Sequence, residues 1–270
     1  MNSWLWNGAE FEQCDSVPLS DRGFRYGMSL FESLCVRGRI AEHWEAHCQR
    51  LAAAAAGRGF GPIEAALAST PGLLEKCGKD GFARVYVTAG DGTPAGPVAE
   101  PRVFVFIEPR EPESAECWTL RIHEDIHQPL FRGLKTGNYW FNCDALADTR
   151  ARGFDEALLF NDHAELISAC CANVFIVRDG KIATPSHGSG CRAGVVREWV
   201  MARRKVTERR IRREDVLRAD EIFLTNSWVG VMPVATLEGR PLGPRSVGPK
   251  LAAEFRPASA EKKPAGKKKL

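Results

Sequence analysis

The alternation of apolar and polar positions divides this chain into recognisable elements. Residues 30–36 (LFESLCV) read as a strand, Arg37-Gly38-Arg39 as a turn, and residues 42–56 as a helix. In that helix Trp44, Cys48, Leu51 and Ala55 recur on one face, and Gly57 suits its C-terminal stop. The β-branched and aromatic runs at 83–88 (ARVYVT) and 103–107 (VFVFI) predict two more strands, joined by a Gly/Pro loop over 90–101. Residues 109–112 (PREP) read as a linker. Beyond it the pattern restarts with a strand at 118–122, a helix over 141–152 closed by Gly153, and strands at 156–160 and 173–177. Asp179-Gly180 turns into a strand at 181–184, a helix opens near Ala193, and a final strand is expected at 221–225. The class is α+β in two domains, residues 1–112 and 113–256.

A chain of 270 residues is long enough for two cores at about 150 residues each. With 44% hydrophobic and 26% charged residues it sits near the globular average, which excludes disorder or a collagen-like chain as the overall description. The net charge of +3 is set by residues 257–270, where five lysines face one acid, Glu261. Such a Lys/Pro/Ala/Gly segment has too little apolar surface to repay its ordering, so it is expected to be a solvated, disordered tail rather than a nucleic-acid arm. No apolar run approaches the ~20 residues that span a bilayer, and residues 1–8 lack a signal-peptide pattern, so a cytoplasmic chain without membrane association is expected. The nine cysteines include no C-x-x-C pair and read as reduced apolar fillers.

Several chemical motifs can be set aside. Gly90, Gly92 and Gly96 fall between strands and offer no helix N-terminus to a pyrophosphate. His43 and His47 bracket Glu45 as H-W-E-A-H, which misplaces the glutamate of a zincin, so both read as ordinary surface histidines and no metal is expected. There is no G-x-S-x-G elbow. Lys135, at a strand end in GLKTGNY, is the place where a desolvated amine could act as a nucleophile, although spacing alone does not distinguish it from a solvated lysine.

A series of short motifs then acquires meaning together. Asp21-Arg22-Gly23-Phe24-Arg25-Tyr26-Gly27 precedes Phe31-Glu32-Ser33 and His47-x-x-Arg50-Leu51. Lys135-x-x-Asn138-Tyr139, Asp155-Glu156-Ala157-Leu158-Leu159 and Ala172-Asn173-Val174-Phe175 follow. Ala193-Gly194-Val195-Val196-Arg197, residues 219–225 (ADEIFLT) and Val231-Met232-Pro233-Val234 complete the order. In order and spacing the chain resembles the class IV aminotransferase family of fold-type IV pyridoxal 5'-phosphate (PLP) enzymes. That family includes branched-chain and D-amino-acid aminotransferases and aminodeoxychorismate lyase.

The resemblance implies a small N-terminal α/β sandwich domain, a larger C-terminal β-barrel-like domain, and a homodimer acting on a small amino substrate. It implies Lys135 as the Schiff-base lysine and proton shuttle, Arg50 at the cofactor phosphate, and Tyr139 beside the phenolic oxygen. The amides of Val195 and Val196 and the hydroxyl of Ser227 would complete the phosphate cup, with Val196 standing where a threonine is common. The family's glutamate at the pyridine nitrogen falls on Ser168, and Glu165 should face the other way on an extended segment. A hydroxyl cannot hold a proton on that nitrogen, which weighs against ordinary transamination. Together with residues 169–173 (ACCAN) and Thr225-Asn226-Ser227, this favours the lyase branch, which releases pyruvate and leaves 4-aminobenzoate, a folate precursor. An aminotransferase is the alternative, and a weakly catalytic PLP-binding member is a third. The replacement of the family's Asp-Gly by Met28-Ser29 has no assigned effect.

Overall fold

The first apolar run becomes the spine of the N-terminal half. In the computed structural model, which describes residues 2–77, 80–111, 113–129, 131 and 133–255, six strands form one antiparallel sheet. They are β1 (Asn2–Trp6), β2 (Phe11–Gln13), β3 (Ser29–Arg37), β4 (Ile40–Ala41), β5 (Gly81–Thr88) and β6 (Arg102–Pro109), in the order β2-β1-β6-β5-β3-β4. Side chains alternate along a strand, so Leu30, Glu32, Leu34 and Val36 share one face of β3. Its three apolar members pack with Leu51 and Ala55 of α2 (Trp44–Ala56) and with Leu67 and Leu74 of α3 (Glu64–Cys77). The opposite face carries Phe31, stacked on Tyr86 at 4.8 Å.

One short helix, α1 (Arg22–Tyr26), locks the Gly/Pro loop. Asp21 caps it through Oδ1, which accepts from the Gly23 amide at 2.7 Å, while Oδ2 accepts from Thr88 and Arg102. Arg22 is fully buried and donates to the carbonyls of Ala89, Gly90, Thr93, Gly96 and Pro97. Buried charges persist where their donors are satisfied, and the residues opening the Asp21 motif therefore act as a clamp on the loop.

The second half holds a nine-stranded sheet: β7 (Trp118–Ile122), β8 (Glu156–Phe160), β9 (Leu166–Ala169), β10 (Asn173–Arg178), β11 (Lys181–Pro185), β12 (Val206–Arg209), β13 (Glu221–Asn226), β14 (Gly230–Leu237) and β15 (Arg240–Pro241). Their order is β12-β11-β10-β13-β14-β7-β8-β9, with β15 on β14. The sheet curls until β9 lies against β10 and β11, which gives the barrel-like form. Its helices are α4 (Trp140–Ala151), α5 (Val195–Met201), α6 (Arg213–Leu217) and α7 (Val247–Phe255).

Several expectations are corrected. Pro109 ends β6 instead of opening a linker, and Pro112 lies outside the described residues, as do residues 257–270. The strand at 221–225 is not the last, because β14, β15 and α7 follow it. Pro233 disguises β14, since proline cannot donate to a ladder. Burial of Val231, Met232 and Val234 nevertheless holds that strand between β13 and β7. Helix α3, absent from the sequence reading, runs through Pro71. All nine cysteines are free, and among the described residues no helix is long and apolar enough to cross a membrane.

Candidate active site

Lys135 enters the site because its segment is stitched to β3. The Phe31 amide donates to the Lys135 carbonyl at 2.9 Å, and the Gly137 amide donates to the Ser29 carbonyl at 3.0 Å. A Cβ at Gly137 would strike the Ser29 hydroxyl, so this close passage requires glycine. Asn138 donates to the Gly27 carbonyl at 3.1 Å, and Tyr139 then caps α4. The Lys135 Nζ lies 4.1 Å from the Phe31 ring centroid and 4.8 Å from that of Tyr139. Burial first, and then the charge of Arg192, push this amine well below the usual lysine range. Both effects favour the neutral, nucleophilic form.

A second cluster forms beneath α2. Glu32, 2% exposed, is aimed at that helix by its place between Leu30 and Leu34. Its Oε1 accepts from Arg50 Nε at 2.7 Å, its Oε2 accepts from Arg50 Nη2 at 2.5 Å, and His47 Nδ1 lies 2.8 Å from Oε2. Arg50 Nη1 donates to the Ala193 carbonyl just ahead of α5, and His47 Nε2 is 3.1 Å from Ser227 Oγ. Burial opposes the charge on Glu32, but hydrogen bonds from His47 and Arg50 outweigh it and hold the carboxyl at about 2. Burial pushes His47 below its ordinary value against the pull of Glu32. The neutral imidazole donates from Nδ1 to Glu32 and accepts at Nε2 from the Ser227 hydroxyl. The surface reading of the two histidines therefore holds for His43 and fails for His47, which is 1% exposed.

The third wall comes from the C-terminal sheet. Gly194 caps α5 with its backbone against Asn173, where a Cβ would strike Asn173 Oδ1. Asn173 Nδ2 donates to the Arg192 carbonyl at 2.8 Å, which fixes the approach to the helix. The first amides of α5, at Val195 and Val196, have no acceptor within the helix, and the Val196 side chain packs in the core with Phe175 and Phe223. Ser168 sits opposite Leu159 in the β8–β9 pair. Glu165 is engaged elsewhere, accepting from the Ser189 hydroxyl at 2.8 Å and pairing with Arg210 at 3.3 Å. Glu156 holds the Cys170-Cys171 turn, accepting from their amides at 2.9 and 3.2 Å. Burial raises its carboxyl to about 7 despite those bonds.

Arg50, Lys135, Tyr139, Ser168, Val195, Val196 and Ser227 all line one cavity of about 480 Å³, a size that suits a small-molecule ligand. Glu32, Glu156 and Arg192 line it too and were assigned no role from sequence. Glu32 did leave a signal, an acid on the apolar stripe of a buried strand, and His47 shares a helical face with Leu51. Arg192 left none.

Comparison with known proteins extends this picture. The family description amino-transferase class IV matches residues 29–237. Aminodeoxychorismate lyase from Vibrio harveyi is 29% identical over 240 residues, covering 81% of this chain and 86% of that protein. A probable branched-chain-amino-acid aminotransferase from Aquifex aeolicus is 36% identical over 113 residues, covering 39% of this chain and 36% of that protein. Among solved structures, 4-amino-4-deoxychorismate lyase from Pseudomonas aeruginosa matches with a TM-score of 0.84 at 27% identity, covering 94% of this chain and 98% of that one. Others of the same fold were solved with PLP or pyridoxamine 5'-phosphate.

Proposed function

The chain belongs to the class IV aminotransferases, a family of PLP-dependent enzymes, and from that premise we propose that it releases pyruvate from 4-amino-4-deoxychorismate and leaves 4-aminobenzoate. The residues present fit the cofactor. Lys135 offers an amine, Arg50 and the first turn of α5 offer donors to a phosphate, and Thr225 Oγ1 is buried in the cavity wall without a partner among the described residues. When bound, the cofactor supplies an electron-accepting ring to the carbon that bears the substrate amine. Lys135 Nζ would take the proton from that carbon and deliver it to the departing enolpyruvyl group. Phe31 and Tyr139 flank the amine at 4.1 and 4.8 Å and leave it facing the cavity.

One observation carries the choice of reaction: a hydroxyl, Ser168, lines the cavity at the family's glutamate position, while Glu165 is occupied outside it. Elimination tolerates a weaker electron sink than transamination, because the product ring is aromatic. Substrate and the two products balance without water or oxidant, the proton lost at the amine-bearing carbon being returned to the departing enolpyruvyl group. Transamination is the second reading, supported by the aminotransferase relatives and by Glu156, a carboxyl in the same wall. Purified protein should release pyruvate from aminodeoxychorismate and form no keto acids from an amino-acid panel. The reverse result selects the aminotransferase, and neither product leaves the weakly catalytic reading.

Two substitutions probe the assignment. Ser168→Glu should raise conversion of bound PLP to pyridoxamine phosphate by amino-acid donors, since a nearby anion favours the protonated ring nitrogen. Nitrogen-labelled PLP read by NMR tests the premise, and a protonated nitrogen in the wild type refutes it. Arg50→Ala should weaken PLP by about 30-fold, equivalent to about 2 kcal/mol, and unchanged affinity places Arg50 outside the phosphate cup. The proposal includes a homodimer, so light scattering should return twice the mass of one chain.

A further inference from the structure

We propose that Arg192 is the specificity residue for the substrate's carboxylate, a role that rests on the reading above. Four other buried or clamped arginines in this fold have their charges accounted for, among them Arg121, paired with Asp148 and Glu124. Arg50 is paired with Glu32, Arg197 with Glu198 and Glu208, and Arg22 is wrapped by five carbonyls. Arg192 lines the cavity with no carboxylate of the described residues paired to it, and its Nε is buried without a partner among them. A guanidinium so placed lacks an anion, and its planar fork matches a carboxylate bidentately.

Arg192 shares the cavity with the residues proposed for the phosphate, and a smaller pocket is lined by Arg50, Glu32, Lys135 and Arg192 together, so the PLP-affinity arm of the test below decides which anion it takes. Arg50, Ser227 and the start of α5 form one group, joined through Glu32, His47 and the Ala193 carbonyl. The Arg192 Cζ lies 5.9 Å from the Tyr139 ring centroid, the same ring that Lys135 Nζ approaches at 4.8 Å. Its main chain is fixed by Asn173, so the fork is presented from a rigid segment. A substrate whose amine is handled at Lys135 and whose carboxylate lies on the same side of Tyr139 meets both side chains together.

The test uses PLP-loaded protein and isothermal titration with two carboxylates, 4-aminobenzoate for elimination and 4-methyl-2-oxopentanoate for transamination, each beside its neutral amide. Which carboxylate the wild type binds reports on the reaction, independently of Arg192. Arg192→Gln should weaken that carboxylate at least tenfold, leave the amide unchanged and leave PLP affinity within twofold, while Arg192→Lys should recover part of the loss. Unchanged carboxylate affinity overturns the proposal, as does a wild type that binds neither carboxylate. A parallel loss of PLP affinity also overturns it, because Arg192 would then serve the phosphate.

Discussion

Replacing Lys135 by alanine is expected to abolish retention of the cofactor on the protein and to lower kcat/KM by at least ~10³-fold. In the proposed role, nucleophilic capture and positioned proton transfer both reside in its Nζ, and proton transfer alone is worth about 10²–10⁴-fold. The wild-type protein should be yellow, and borohydride should fix PLP to the peptide that contains Lys135. The variant should be colourless while keeping its fold by circular dichroism. Recovery of the label on Lys181 or Lys205 would remove Lys135 from its assigned role.

The largest stability effect is expected at Glu32. Its carboxylate neutralises Arg50 and orients His47 while almost wholly buried, and removing one partner of a buried pair costs about 3–5 kcal/mol. Glu32→Ala should therefore lower the urea midpoint sharply at pH 7. The same group predicts an acid-sensitive stability. The folded state holds this carboxyl at about 2 against an ordinary 4.5, so its stabilisation, on the order of 3 kcal/mol, is complete above about pH 4.5 and is lost as pH falls toward 2. Glu32→Gln should flatten that part of the stability curve. A variant as stable as the wild type at pH 7, with the same acid slope, contradicts this account.

Elements whose pattern is local were legible in the sequence. β3 and α2 announce themselves by alternation and by a helical stripe, and the motif order singles out Lys135, Arg50 and Ser227, which line one cavity in the fold. What escaped depends on long-range contact. Pro233 and Pro71 argue locally against the elements they occupy, and only tertiary burial overrides them. The partnership of Glu32 with Arg50 and His47 is invisible until the strand lies under the helix. Arg192 has neither a repeat nor a motif to mark it, and only the fold brings it to the cavity with its Nε unpartnered among the described residues.

The hydrogen bond between Ser227 and His47 joins residues 180 positions apart. Ribosomes add about 5–20 residues per second, so roughly 10–40 s separate the emergence of these two side chains. During that interval Arg50 already has Glu32, and the nascent N-terminal sheet can close without a stranded charge. It lacks both the serine and the turn of α5 that are proposed to hold the phosphate. On the proposed phosphate cup, cofactor loading is expected only in the last seconds of translation or later, and a ribosome-stalled chain ending before Ser227 should fold its first sheet yet fail to retain PLP.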